Sequence, residues 1–180
     1  LDFLKRVRDK YKIGYYPGDK IVVIGDEIDF KFLKYSTVND PETAYVQHYR
    51  SLKFLREVYI EFPEAYVCES NHVKERLDMV AEQANIPSFL LKDIPEILDS
   101  PKGWKRAYDW FIEGVRYCHG HRIPRGLNGM ARAIDQAHCS VVYGHHAHAG
   151  IQHVVKNDIE NGKLKNFFSM CVGALTVNPL

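Results

Sequence analysis

Four short apolar runs in this chain each stop at a polar cluster, and that regularity constrains the fold more than any other feature. Ile21-Val-Val-Ile24 ends at Gly25-Asp26-Glu27-Ile28-Asp29, and Ala65-Tyr-Val-Cys68 ends at Glu69-Ser-Asn-His72. Phe111–Cys118 ends at His119-Gly-His121, and Val141–Tyr143 ends at Gly144-His-His-Ala-His148. Ile21–Ile24 and Val141–Tyr143, with no polar residue inside them, predict buried strands, and the other two runs predict strands as well. Helical spacing appears between them: Leu1, Leu4, Val7 and Tyr11 in residues 1–12, then a stretch from about Glu42 to Ile60, then Val73 to Ala84, and later Gly129–Ala137.

Strands alternating with helices predict an α/β architecture. In such folds ligands bind beyond the carboxyl ends of the strands, so the four polar clusters are expected to meet on one rim. Pro17-Gly18-Asp19 and Asn39-Asp40-Pro41 predict turn or loop segments. Ser88 to Trp110, punctuated by Pro95, Pro101 and Gly103, reads as an insertion of short helices. Phe111–Cys118 reads either as one strand or as two hairpin arms around Glu113-Gly114. Gln152–Lys156 and Asn166–Cys171 read as a hairpin turning at Asn161-Gly162.

At 180 residues with 46% hydrophobic and 26% charged residues, the chain has the length and composition of one globular domain. No apolar run reaches the roughly 18 residues of a membrane span, so no membrane partner is expected. The net charge of +1 gives no support to a polybasic nucleic-acid arm, although it leaves room for an enzyme that handles phosphates locally. Cys68, Cys118, Cys139 and Cys171 form no C-x-x-C pair and sit in or beside apolar runs. That suits reduced thiols and a cytoplasmic protein.

Nine histidines are present, and three of them fall within four residues at His145, His146 and His148. Neutral imidazole is the commonest protein metal ligand. The competing readings are a solvated histidine loop, an aspartate at Asp26 that only caps a turn, and a structural zinc site using Cys118, Cys139 and nearby histidines. The zinc site is disfavoured because the spacings match no C-x₂₋₄-C or H-x₃₋₅-H pattern. His48, His138 and His153 belong to no motif, and Trp104 and Trp110 read as core or lid packing.

Taken in order, the clusters resemble the calcineurin-like metallophosphoesterases, which read D-x-H, G-D-x-x-D, G-N-H-[D/E], a lone His often within H-G-[H/D], then G-H-x-H. Gly25-Asp26-Glu-Ile-Asp29 matches the second motif. Asn71-His72 matches the third, with Ser70 in place of glycine and Val73 in place of the acid. His119-Gly120-His121 matches the fourth, and His146-Ala-His148 the fifth if His145 takes the glycine position. A second register, with Gly144-His145 as the G-H and an extra residue before His148, remains open. The resemblance spans roughly residues 20–175, and Asn71, His72 and Arg76 followed by an insertion point to phage and bacterial members.

The resemblance implies an α/β fold built as a four-layer sandwich of two mixed β-sheets flanked by helices. Residues 1–180 would be a single metallophosphoesterase domain. No D-x-H occurs in the chain, so the domain is expected to lack its first strand at the N-terminus, with D-x-H supplied ahead of Leu1. It implies two divalent metal ions, Mn²⁺ foremost, with Fe, Zn, Ni or Mg as alternatives. Asp26 would bridge the ions, Asn71, His119 and His146 would hold the second, and His148 would reach the first. His72 would protonate the leaving oxygen, Asp29 would orient ligand imidazoles with His121 as a weaker candidate, and Arg76, Arg122 or Arg125 would neutralise substrate phosphate. The implied activity is hydrolysis of a phosphomonoester or phosphodiester by a metal-bridging hydroxide. The alternatives are a catalytically degenerate scaffold on the same fold and a nuclease component of a DNA-processing complex.

Overall fold

In this computed structural model residues 1–30, 41–158 and 163–173 are described. The chain is α/β, with two sheets and several helices, and it divides into two compact units, Leu1–Arg106 and Ala107–Leu180.

The first unit opens with α1 (Asp2–Tyr11), which ends at Lys12 in a left-handed conformation (φ 52°). Its sheet has the order β1-β2-β3, with β1 (Val22–Val23), β2 (Ala65–Cys68) and β3 (Trp104–Ala107). Strands β1 and β2 run parallel, with Val22 opposite Tyr66 and Val23 opposite Val67. Helix α2 (Pro41–Glu61) lies between them in sequence and buries Leu55 and Tyr59, a helical i, i+4 pair. The core gathers Leu55, Tyr59, Val67, Val73, Leu98 and Trp104. Tyr59 meets Trp104 edge-on at 4.6 Å and donates its hydroxyl to the Leu98 carbonyl at 3.1 Å. The Trp104 indole N–H in turn satisfies the Phe62 carbonyl at 2.7 Å. Each polar end of these buried aromatics has a partner, as burial requires.

The helical stretch expected from Val73 starts earlier, as a π-turn over Asn71–Glu75 that runs into α3 (Arg76–Gln83). The insertion expected over Ser88 to Trp110 needs correcting. A 3-10 turn (Ser88–Leu90) and the short helix α4 (Ile94–Ile97) are present, but the segment then becomes β3 and the start of β4. Trp104-Lys-Arg-Ala carries no β-branched residue to announce a strand. Its conformation comes from a place beside β2 and from burial of Trp104.

The second unit holds a five-stranded sheet of order β4-β5-β6-β8-β7. Strands β4 (Asp109–Ile112) and β5 (Val115–Cys118) are antiparallel arms joined by Glu113-Gly114, both at positive φ (52° and 77°), the turn that matches strand twist. This decides between the two readings of that segment in favour of the hairpin. Strand β6 (Ser140–Tyr143) is buried throughout and runs parallel to both β5 and β8 (Lys163–Val172), while β7 (Ala149–Asp158) pairs antiparallel with β8. Helix α5 (Leu127–Ala137) buries Met130, Ala133 and Ile134 and packs on β6, β7 and β8. Cys118, Val141, Tyr143 and Cys171 complete that core. Asn39-Asp40 and the Asn161-Gly162 turn lie outside the described residues. No helix among the described residues is long and apolar enough to cross a membrane.

Candidate functional site

Each sheet contains a pair of parallel neighbours, β1 with β2 and β5 with β6, and each of these strands runs directly into one of the polar clusters. Carboxyl ends of adjacent parallel strands are where α/β sheets bind ligands. One donor cluster therefore lies at such an edge in each unit.

In the first unit the chain leaves β1 through Gly25 (φ 85°) and Asp26 (φ 55°), two successive left-handed residues that turn it sharply. Ile28 and Phe30 are buried beyond the turn, whereas Asp26 and Asp29 are exposed. Buried apolar side chains thus anchor the loop that presents the carboxylates. Asp29 Oδ1 lies 3.1 Å from His72 Nδ1 and forms a close ion pair with Arg76 Nη1. A carboxylate can only accept, so a hydrogen bond across this contact requires the proton at Nδ1 and leaves Nε2 to take or give one. Asp29 therefore orients His72. Arg76, with a side chain only 12% exposed, is committed to Asp29.

Asn71 begins the π-turn, an irregularity frequent at functional sites. Ser70 before it is extended (φ −114°), a conformation that needs no glycine. Val73 is 2% exposed within the core. A carboxylate at that point would be a buried charge.

In the second unit His119, His121, His145, His146 and His148 form one group of rings. His119 Nε2 and His145 Nδ1 are 3.1 Å apart, and the His119 ring centroid lies 5.6 Å from that of His121. His145 is 5.3 Å from His146, and His146 stacks on His148 at 5.4 Å. His119 and His146 are buried, whereas His148 is exposed. His146 Nε2 donates to the Ile123 carbonyl at 2.9 Å, and its Nδ1 is buried with no hydrogen-bond partner.

The loops are tied to the strands beneath them. Gly144 N–H bonds the His119 carbonyl at 3.0 Å, and the Cys171 thiol reaches the His148 carbonyl at 3.2 Å. Gly120 (φ 95°) lies so close to the Tyr143 ring that a Cβ there would be 2.7 Å from it. Burial pushes the Tyr143 hydroxyl up to about 12 and the Cys118 thiol up to about 11.

These donors fit a divalent first-row ion. An imidazole whose Nε2–H is held by a carbonyl offers its Nδ1 lone pair in a fixed direction, the usual arrangement behind a ligating histidine, and His146 has it. His119 Nε2 and His145 Nδ1 are within hydrogen-bond distance of each other, one ring donating to the other. Within the first unit, Asp26 and Asn71 are oxygen donors of their own.

One register of the sequence places His145 in a glycine position, and the other makes it the G-H histidine. Its backbone is left-handed (φ 66°), the conformation glycine favours, yet its ring joins the cluster beside His119. The second register noted in the sequence was the available signal for that. Two further features had none: the Cys171 thiol under the His148 loop, and Tyr108, whose ring meets His121 edge-on at 6.1 Å and carries Arg122 over its face at 5.5 Å.

No protein-family model, curated protein or solved structure matches the chain.

Proposed function

We propose that this protein is a metal-dependent phosphoesterase of the calcineurin-like kind, hydrolysing a phosphomonoester or phosphodiester. The observation that carries the reading is the sequence of donor clusters at the ends of parallel strands: Asp26 and Asp29 after β1, Asn71 and His72 after β2, His119 after β5, and His145, His146 and His148 after β6. The reading assigns both donor sets to one pair of divalent ions, Mn²⁺ foremost, and takes the two sheets as those of a four-layer sandwich. Four free cysteines, three of them buried, suit the reducing cytoplasm.

Asp26, Asn71, His119, His146 and His148 would hold the ions, which when bound supply Lewis-acid and template chemistry for phosphoryl transfer. The remaining steps belong to side chains. His72, held at Nδ1 by Asp29, delivers a proton from Nε2 to the leaving oxygen. Arg76 fixes Asp29 and so holds the His72 ring in place.

The test is hydrolysis of bis-p-nitrophenyl phosphate by the full-length protein with Mn²⁺ and with chelator, comparing wild type with Asp26→Ala and His72→Ala. Turnover that needs metal and collapses in both variants supports the reading. Equal turnover in all three proteins removes it. Metal binding without turnover would leave a binding scaffold, and a strong preference for oligonucleotides would favour a nuclease.

A further inference from the structure

We infer that Arg122, stacked on Tyr108, is the phosphate-binding side chain beside the histidine cluster and biases the protein toward phosphomonoesters. This rests on the phosphoesterase reading for its kinetic consequence, though not for the binding itself.

Arg76 is paired with Asp29, Arg106 with Glu27 and Arg116 with Asp109. Arg122 is exposed and makes no ion pair among the described residues. Its guanidinium carbon instead sits 5.5 Å from the Tyr108 ring centroid, within the range of a cation–π contact. One face of the guanidinium is thereby covered, and the N–H edges that match a phosphate bidentately stay available.

The backbone beneath Arg122 is fixed. Gly120-His121-Arg122-Ile123 is a turn closed by Ile123 N–H on the Gly120 carbonyl at 2.9 Å. The Ile123 carbonyl accepts from His146 Nε2, also at 2.9 Å. Arg122 is therefore carried on the same turn that sets the His146 tautomer, and its stacking partner Tyr108 packs edge-on against His121. A cation with no ion-pair partner among the described residues, carried on the turn that follows His119, attracts an anion. It favours a doubly charged monoester over a singly charged diester, because the Coulomb term grows with ligand charge.

Two measurements test this. With Mn²⁺ present, p-nitrophenyl phosphate and bis-p-nitrophenyl phosphate are compared in wild type, Arg122→Ala, Arg122→Lys and Tyr108→Leu. Losing a charge-assisted contact is expected to raise KM for the monoester about tenfold or more in Arg122→Ala, with kcat within about threefold and a smaller effect on the diester. Arg122→Lys should recover part of the loss, and Tyr108→Leu should fall between wild type and Arg122→Ala. Equal losses on both substrates, or a loss confined to kcat, overturn the inference. Separately, the Arg122 Nε–Hε resonance is followed by NMR in the metal-free protein during titration with inorganic phosphate, at constant ionic strength in chloride. A saturable shift is expected. A resonance that does not move overturns the binding assignment even if the protein proves to be a phosphoesterase. A shift in a protein without turnover would uphold the binding assignment while the phosphoesterase reading fails.

Discussion

His146 Nε2 lies 2.9 Å from the carbonyl oxygen of Ile123, and that contact determines which nitrogen of the ring is available to a metal. Since the carbonyl can only accept, Nε2 carries the proton and the buried Nδ1 carries the lone pair. Nitrogen-15 NMR of the metal-free protein should show the Nε2–H tautomer at His146. His146→Ala should weaken Mn²⁺ or Zn²⁺ binding by more than the roughly 10–100-fold typical of losing an outer partner. Unchanged affinity by calorimetry would remove His146 from the ligand set.

The pair of Asp29 and His72 makes a kinetic prediction. His72→Ala removes a proton donor and should lower kcat by about 10²–10⁴-fold. Asp29→Asn keeps the shape but replaces a pure acceptor by a group that can also donate. Its effect should be in the same direction, smaller, and on kcat rather than KM. A selective rise in KM in both variants would mean that these side chains bind substrate and do not transfer a proton.

Glu27 and Arg106 form an ion pair with side chains only 4% and 8% exposed. Arg106→Leu strands a buried carboxylate and should destabilise the protein by about 3–5 kcal/mol in urea unfolding. The double replacement Glu27→Leu, Arg106→Leu removes both charges and should recover much of that loss. Glu27 lies between Asp26 and Ile28, so on the proposed reading the single variant should also weaken metal binding. A double variant as unstable as the single one would show that the pair contributes more than mutual neutralisation.

Cys118 gives a pH prediction. Burial pushes its thiol from an ordinary value of 9.0 up to about 11. Across that window the unfolded chain releases a proton that the folded chain retains, so stability is complete below pH 9 and falls as pH rises toward 11. The loss attributable to this thiol is about 2–3 kcal/mol, and Tyr143, raised to about 12 by burial, extends the decline to higher pH. Denaturant unfolding at about pH 8 and about pH 10.5 should show the decline, and Cys118→Ala should flatten it.

Much of this was legible along the chain because it depends on neighbours in sequence. Val22-Val23, Ala65–Cys68 and Ser140–Tyr143 announce strands through short apolar runs, and the polar residues that follow mark loops at their ends. Helix α2 appears at nearly its predicted limits because its periodicity is local. Strand β3 was missed because Trp104-Lys-Arg-Ala has no strand pattern of its own, and only its neighbour β2 makes it a strand.

What the sequence determined by itself is therefore the inventory: α/β alternation, and carboxylate, amide and imidazole donors placed immediately after buried strands. The tertiary structure decided how those donors are committed, because commitment depends on contacts between residues far apart in the chain. Arg76 reads as a free phosphate ligand until it is found on Asp29, 47 residues away. His146 has two equivalent nitrogens until Ile123, 23 residues away, takes one proton. His145 reads as a glycine substitute until its left-handed backbone delivers the ring to His119. Donor and acceptor sites are few on each side chain, so its role is fixed by the partners that the fold sets beside it.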